Sequence, residues 1–189
     1  LAEKKDVDLR IEEFLKPYNL AKSIVDEIKK EFKSYVWGYW KLDPLIKNPD
    51  ISDIKILAPG NTRIKVKGKR MNSDITFKTG AEIERFATSI ATKNDTSLAI
   101  INAVQSITDK NTSEDFILRI NLSTSFVNSV PYPYIHIRKI PKKKRNLEEL
   151  QKAGMFTEEE KKELYDDMAN GMSIIMCGKG ASGKTTLIN

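Results

Sequence analysis

Residues 51–70 read ISDIKILAPGNTRIKVKGKR, and this stretch decides the fold. Ile64 and Val66 alternate with charged neighbours, the period-two pattern of a strand with one face toward a core and one toward water. ISDIKIL reads as a strand ahead of it. The intervening PGNT is a turn signal, since Pro presets a turn torsion and Gly accepts positive φ. SDITF at 73–77 reads as a third strand, which gives an antiparallel meander over 51–78.

Helical patterns flank this meander. Before it, Leu20, Ile24, Ile28, Phe32 and Val36 recur every four residues, with Val25 and Tyr35 beside them, an amphipathic helix over 19–36. After it, Thr79 and Glu82 have capping-box spacing, and Ile83, Phe86, Ala87, Ile90 and Ala91 form one apolar stripe, so 79–94 reads as a second helix. ILRINL at 117–122 and YIHIRKI at 134–140 are further strand candidates. The expectation is an α+β N-terminal domain over 1–140, an antiparallel sheet with helices, with 1–40 as a helical lead-in.

At Pro141 the composition shifts to a run of cations. Residues 141–171 read as a basic linker with two short helices, NLEELQKAG and TEEEKKELYDDMANG, the second opened by a Thr157–Glu160 capping box and ended by Gly171. Residues 172–189 begin with MSIIMC, a continuous apolar run of the kind a buried strand carries. They are expected to be the first strand and glycine loop of an α/β domain.

That loop is GKGASGKT, residues 178–185, matching G-x-x-x-x-G-K-[ST] at each fixed position. Glycines let the backbone turn with positive φ and aim consecutive N–H groups at an anion. Gly178, Lys179, Gly180, Ala181, Ser182, Gly183, Lys184, Thr185 and Thr186 are therefore the candidate nucleotide-binding residues. Lys184 supplies a point charge for β- and γ-phosphates, and the Thr185 hydroxyl is the candidate Mg²⁺ ligand for bound ATP. The alternative is a surface glycine turn with a coincidental lysine. Hydrolysis also needs an acidic residue after a second apolar strand. Six residues follow Gly183, so the chain reads as the front of a longer protein and is expected to hydrolyse no ATP alone.

Composition limits other readings. Apolar residues are 40% and charged residues 31%, the mix of a folded rather than a disordered chain. The net charge of +6 suits anionic partners without choosing among them. One cysteine, Cys177, permits no internal disulfide, and one Cys with one His makes a zinc site unexpected. No apolar run approaches the roughly 20 residues that span a bilayer, and LAEKKDVDLR lacks a signal-peptide core. The expected location is the cytoplasm, or the cytoplasmic face of a membrane.

NGMSIIMCGKGASGKTTLIN resembles the phosphate-binding region of the hexameric traffic ATPases of type II and type IV secretion, pilus assembly and conjugation. ISDIKILAPGNTRIKVKGKR resembles the opening strands of that family's N-terminal domain, YIHIRKIPKKK its final strand, and LEELQKAGMFTEEEKKEL its two linker helices. The resemblance spans about residues 50–189. It implies a ring-forming α+β domain over a RecA-like ATPase domain, with nucleotide between them and N-domain arginines on the phosphates. Arg138 in IHIRKI and Arg119 in LRINL match those arginines. It also implies a homo-hexamer that works with inner-membrane secretion or pilus machinery. Two rivals stay open: another P-loop NTPase, and a non-enzymatic interaction or nucleic-acid-binding module.

Other residues carry plain readings. Arg138 and Arg119 are either phosphate ligands or strand arginines facing water. Lys139, Lys142, Lys143, Lys144 and Arg145 could meet nucleotide, an acidic membrane or nucleic acid, but read first as a solvated linker. His136 has no obvious partner, and Cys177 reads as a small core residue. Trp37, Tyr39 and Trp40 read first as an aromatic cluster packed on the meander, with stacking of a nucleobase as the alternative.

Overall fold

In the computed structural model, Ile51–Ala58 (β1) and Asn61–Val66 (β2) pair antiparallel around a two-residue turn at Pro59–Gly60, where Gly60 has φ +71°. The structure describes residues 4–143, 146–179 and 182–188, apart from the side chains of Lys4, Lys5 and Thr185. The apolar spacing of β1 is irregular: Ile51, Ile54 and Ile56 are buried. The ladder explains it. Ile51 pairs with Val66 but Asp53 with Lys65, so Ser52 is an extra residue at a bulge, and the alternation restarts after it. A second two-residue turn, Lys67–Gly68 with φ of 46° and 84°, leads into Lys69–Asn72 (β3). Two successive positive φ values match the right-handed strand twist, which favours Gly there.

The third strand of the meander is thus KRMN, not SDITF. Ser73 Oγ accepts from the Ile75 N–H (3.1 Å), a local bond that curls the segment away from a ladder. The Gly60 N–H donates to Phe77 O (2.8 Å), and Phe77 is buried. A further strand, Val104–Asp109 (β4), lies where no strand is expected, and it pairs with Phe116–Ser123 (β5). Tyr134–Pro141 (β6) closes the arrangement, giving one six-stranded sheet in the order β3-β2-β1-β6-β5-β4.

One face of this sheet holds the core. Ile54, Ile56, Leu118, Ile120, Leu122, Ile135 and Ile137 are buried there with Ile83, Phe86, Ala87 and Ile90 from the helix Gly80–Lys93. Thr79 caps that helix, its hydroxyl accepting from the Glu82 N–H (3.1 Å). The Glu82 carboxylate does not close the box. It accepts from the Lys78 N–H (2.6 Å) and pairs with Lys41.

Earlier helices lead in. They are Lys4–Leu15 (α1), Lys22–Trp37 (α2) and the short Asp43–Lys47 (α3), which makes Gly80–Lys93 α4. Lys33 joins α2 to α1 through Asp8 (2.6 Å). The apolar stripe of α2 stays partly open, with Ile24, Phe32 and Tyr35 exposed, and Leu20, expected on this helix, lies exposed just ahead of it. The aromatic cluster does pack: Tyr39 is fully buried, and Trp40 has its ring centroid 6.3 Å from those of both Phe77 and Phe86. Gly38 allows this turn, since a Cβ there would lie 2.6 Å from Asp43 Oδ2 and 2.8 Å from Ser34 O.

Residues 1–140 and 141–189 separate into two units. In the second, Leu147–Lys152 (α5) and Glu158–Ala169 (α6) both begin with complete capping boxes, Asn146–Glu149 and Thr157–Glu160. Each ends in a Schellman pattern on a left-handed glycine. Met155 and Gly154 N–H groups close α5 on Leu150 and Gln151 carbonyls, and Met172 and Gly171 close α6 on Asp167 and Met168. The run MSIIMC, expected as a buried strand, forms none, and Ile174, Ile175 and Cys177 are exposed. A strand needs a neighbour for its ladder, and the described elements of this unit are helices only. Lys184–Ile188 (α7) follows the glycine loop.

Candidate functional site

The residues with charge and reach gather on the sheet face opposite the core. Strand alternation puts them there. Register pairs Lys55 with both Arg63 and His136, Asp53 with both Lys65 and Arg138, and Arg70 with Lys65. Residues directly opposite share a face. On β5, Leu118, Ile120 and Leu122 point into the core, so Arg119 projects the other way. The two arginines singled out from sequence, Arg119 and Arg138, are thus exposed on neighbouring strands of the same open face. Among the described residues neither has a carboxylate within 4.0 Å, nor does Lys55, Arg63, Lys65 or Arg70. Asp53 is the carboxylate on these central strands, so much of the net charge of +6 is concentrated here.

Asp53 is held by its own neighbours. The Ser52 hydroxyl donates to Oδ2 (2.8 Å), and His136 Nε2 lies 3.2 Å from Oδ1. Burial works against its charge, but these two groups and nearby Arg138 outweigh that and hold its pKa below the usual carboxylate value. His136 therefore has a partner that sequence reasoning missed. The signal was present only as two alternating strands, because Asp53 and His136 lie 83 residues apart.

The basic cluster from Lys139 to Arg145 is not one surface. Lys139 points to the core side and is 5% exposed, its ammonium donating to Asn48 O and lying 4.2 Å from the Phe116 ring centroid. Burial lowers its pKa. Lys143 pairs with Glu149 (3.3 Å). Lys144 and Arg145 lie outside the described residues.

The glycine loop in the second unit closes on its own lysine. Lys184 Nζ donates to Gly178 O (2.6 Å) and Lys179 O (2.7 Å), with Ser182 Oγ at 3.4 Å. The Ser182 N–H donates to Lys179 O (3.2 Å). A Cβ on Gly178 would come 2.8 Å from Ser182 Oγ, so Ser182 would have to turn aside to admit one. Gly183 has φ +91° and lies against Met155, where a Cβ would meet Cε at 2.7 Å. Lys179, Ser182 and Thr186 are exposed. Gly180, Ala181 and the Thr185 hydroxyl lie outside the described residues. Among those described, no group of three or more His, Cys, Asp or Glu could hold a metal, and no helix is long and apolar enough to cross a membrane.

The first unit is therefore an α+β domain whose six-stranded antiparallel sheet is packed with helices on one face and basic on the other. A similar fold occurs in a solved secretion ATPase. The chain is similar in structure to the VirB11 ATPase of the Brucella suis type IV secretion system, solved with sulphate, at a TM-score of 0.54 and 17% identity, over 76% of this chain and 45% of that one. The Legionella pneumophila ATPase DotB also matches, at a TM-score of 0.46 and 19% identity, over 82% of this chain and 40% of that one. In sequence the chain is 28% identical over 154 residues to the uncharacterized protein MJ0900 of Methanocaldococcus jannaschii, which covers 80% of this chain. It spans about a quarter (27%) of that relative's length. No protein-family model matches it.

Proposed function

We propose that this chain is the N-terminal domain, linker and phosphate-binding loop of a traffic ATPase of the type II or type IV secretion, pilus or conjugation kind. The observation that carries the reading is the placing of Arg119 and Arg138 on neighbouring strands of the open face, with no carboxylate within 4.0 Å of either among the described residues. A guanidinium is permanently charged and binds phosphate oxygens in pairs. The likeness of the fold to a secretion ATPase supports the reading, as does the loop that gathers round Lys184.

The loop residues fit a nucleoside triphosphate with Mg²⁺. Gly183 holds a left-handed φ of +91° that suits glycine, and the loop lysine donates to loop carbonyls, bonds that a more strongly accepting phosphate would replace. Lys184 would bind the β- and γ-phosphates, and Gly178–Gly183 would offer backbone donors. Thr185 would hold Mg²⁺, which supplies charge neutralisation to phosphoryl transfer. Arg138, with Arg119, would bind the γ-phosphate and so couple its presence to the position of the sheet domain. The residues 172–189 would complete the start of a RecA-like domain. The intact protein would assemble as a hexamer on inner-membrane machinery, at the cytoplasmic face.

Calorimetric titration of the intact protein with Mg–ATP tests this. Binding lost in Lys184→Ala supports it. Equal affinity in wild type and variant would sink it. The basic sheet face also favours a second reading, binding of nucleic acid, for which DNA affinity should fall steeply with salt whether or not nucleotide is present.

A further inference from the structure

We propose that Ser52, Asp53 and His136 act together as a positioning group that keeps the Arg138 guanidinium available to phosphate. This rests on the reading of Arg138 given above. Asp53 stands opposite Arg138 on β6 and opposite Lys65 on β2. Side chains so placed have Cβ atoms roughly 5 Å apart, and opposite charges there attract. A carboxylate in that position is the nearest competitor to any phosphate that Arg138 would bind.

The competitor is engaged elsewhere. Oδ2 takes the Ser52 hydroxyl and Oδ1 faces His136 Nε2, while no ion pair joins Asp53 to Arg138 among the described residues. The bulge supplies half of this device. As the extra residue in β1, Ser52 is free of ladder pairing, and its hydroxyl turns to the carboxylate of the next residue. Register supplies the other half. His136 lies opposite Lys55, diagonal to Asp53, within reach of a ring nitrogen.

Loss of the imidazole leaves Oδ1 half-buried without its donor. The cations facing it are Arg138 and Lys65, with Lys55 and Arg63 one step further. Arg138 then turns inward to the carboxylate and is withdrawn from phosphate. Exposed pairs of this kind shift affinities by a few-fold.

The test is a thermodynamic cycle read as Mg–ATP affinity of the intact protein. His136→Ala should weaken binding about three-fold, while His136→Gln, which keeps a donor, should hold most of it. Asp53→Asn should bind at least as well as wild type. The double variant His136→Ala with Asp53→Asn should match Asp53→Asn alone, because the competing charge is gone. A purely structural pair would instead give a double variant as weak as His136→Ala or weaker, and that result overturns the proposal. So does unchanged affinity in His136→Ala when Arg138→Ala weakens binding. If Arg138→Ala itself has no effect, the underlying reading of Arg138 fails instead.

Discussion

The Tyr39 hydroxyl donates to Asp109 Oδ2 across 2.6 Å, joining the end of the helical lead-in to the edge strand β4. Both residues are buried, and Lys93 adds its ammonium 4.0 Å from the Tyr39 ring centroid and 3.9 Å from the carboxylate. Tyr39→Phe removes the donor and leaves the ring. A hydrogen bond to a charged acceptor contributes about 2 kcal/mol. Urea unfolding of the variant should show a loss of that size with an unchanged slope.

The same carboxylate sets an acid limit on stability. Burial opposes the Asp109 charge, but the Thr112 hydroxyl, Tyr39 and the Asn111 and Thr112 N–H groups outweigh it and depress its pKa. Glu82 is depressed in the same way by Lys41 and the Lys78 N–H, and Asp53 by Ser52 and His136. A depressed carboxylate stabilises the fold above its unfolded pKa, and that contribution is lost as pH falls through the folded value. Melting temperature should therefore hold above about pH 5 and drop below about pH 4. Asp109→Asn should start lower and show a shallower drop.

The lead-in and the core should respond differently to truncation. Phe86 is 2% exposed against the sheet, and Phe32 on α2 is 43% exposed. Phe86→Ala should cost about 3–5 kcal/mol. Phe32→Ala should cost less than about 1 kcal/mol. Equal losses in chemical denaturation would show that α2 is packed as tightly as α4.

Sequence patterns recovered the parts of the fold that bury apolar side chains. The α4 stripe and the strands β1, β2, β5 and β6 follow from spacing, because each feeds the core with Ile, Leu or Phe. The strands it missed, β3 and β4, are the two edges of the sheet. β3 is exposed at all four residues and β4 buries only Ile107 and Asp109, so neither has an apolar alternation to read. MSIIMC shows the converse, since an apolar run carries strand propensity but no information about where its ladder partner lies. At the site, the individual arginines and the loop lysine were legible as residue types. The Ser52–Asp53–His136 group was not, because it depends on a bulge and on cross-strand register.

The central proposal is that Lys184, Arg138 and Arg119 each bind phosphate of ATP. Steady-state ATP hydrolysis by the intact protein tests it most directly, comparing wild type with Lys184→Ala, Arg138→Ala and Arg119→Ala. Phosphate-binding cations of this kind are worth about 10³-fold or more in turnover. The account predicts turnover near background for Lys184→Ala and a loss of at least about ten-fold for Arg138→Ala. Wild-type turnover in both Arg138→Ala and Arg119→Ala would contradict it.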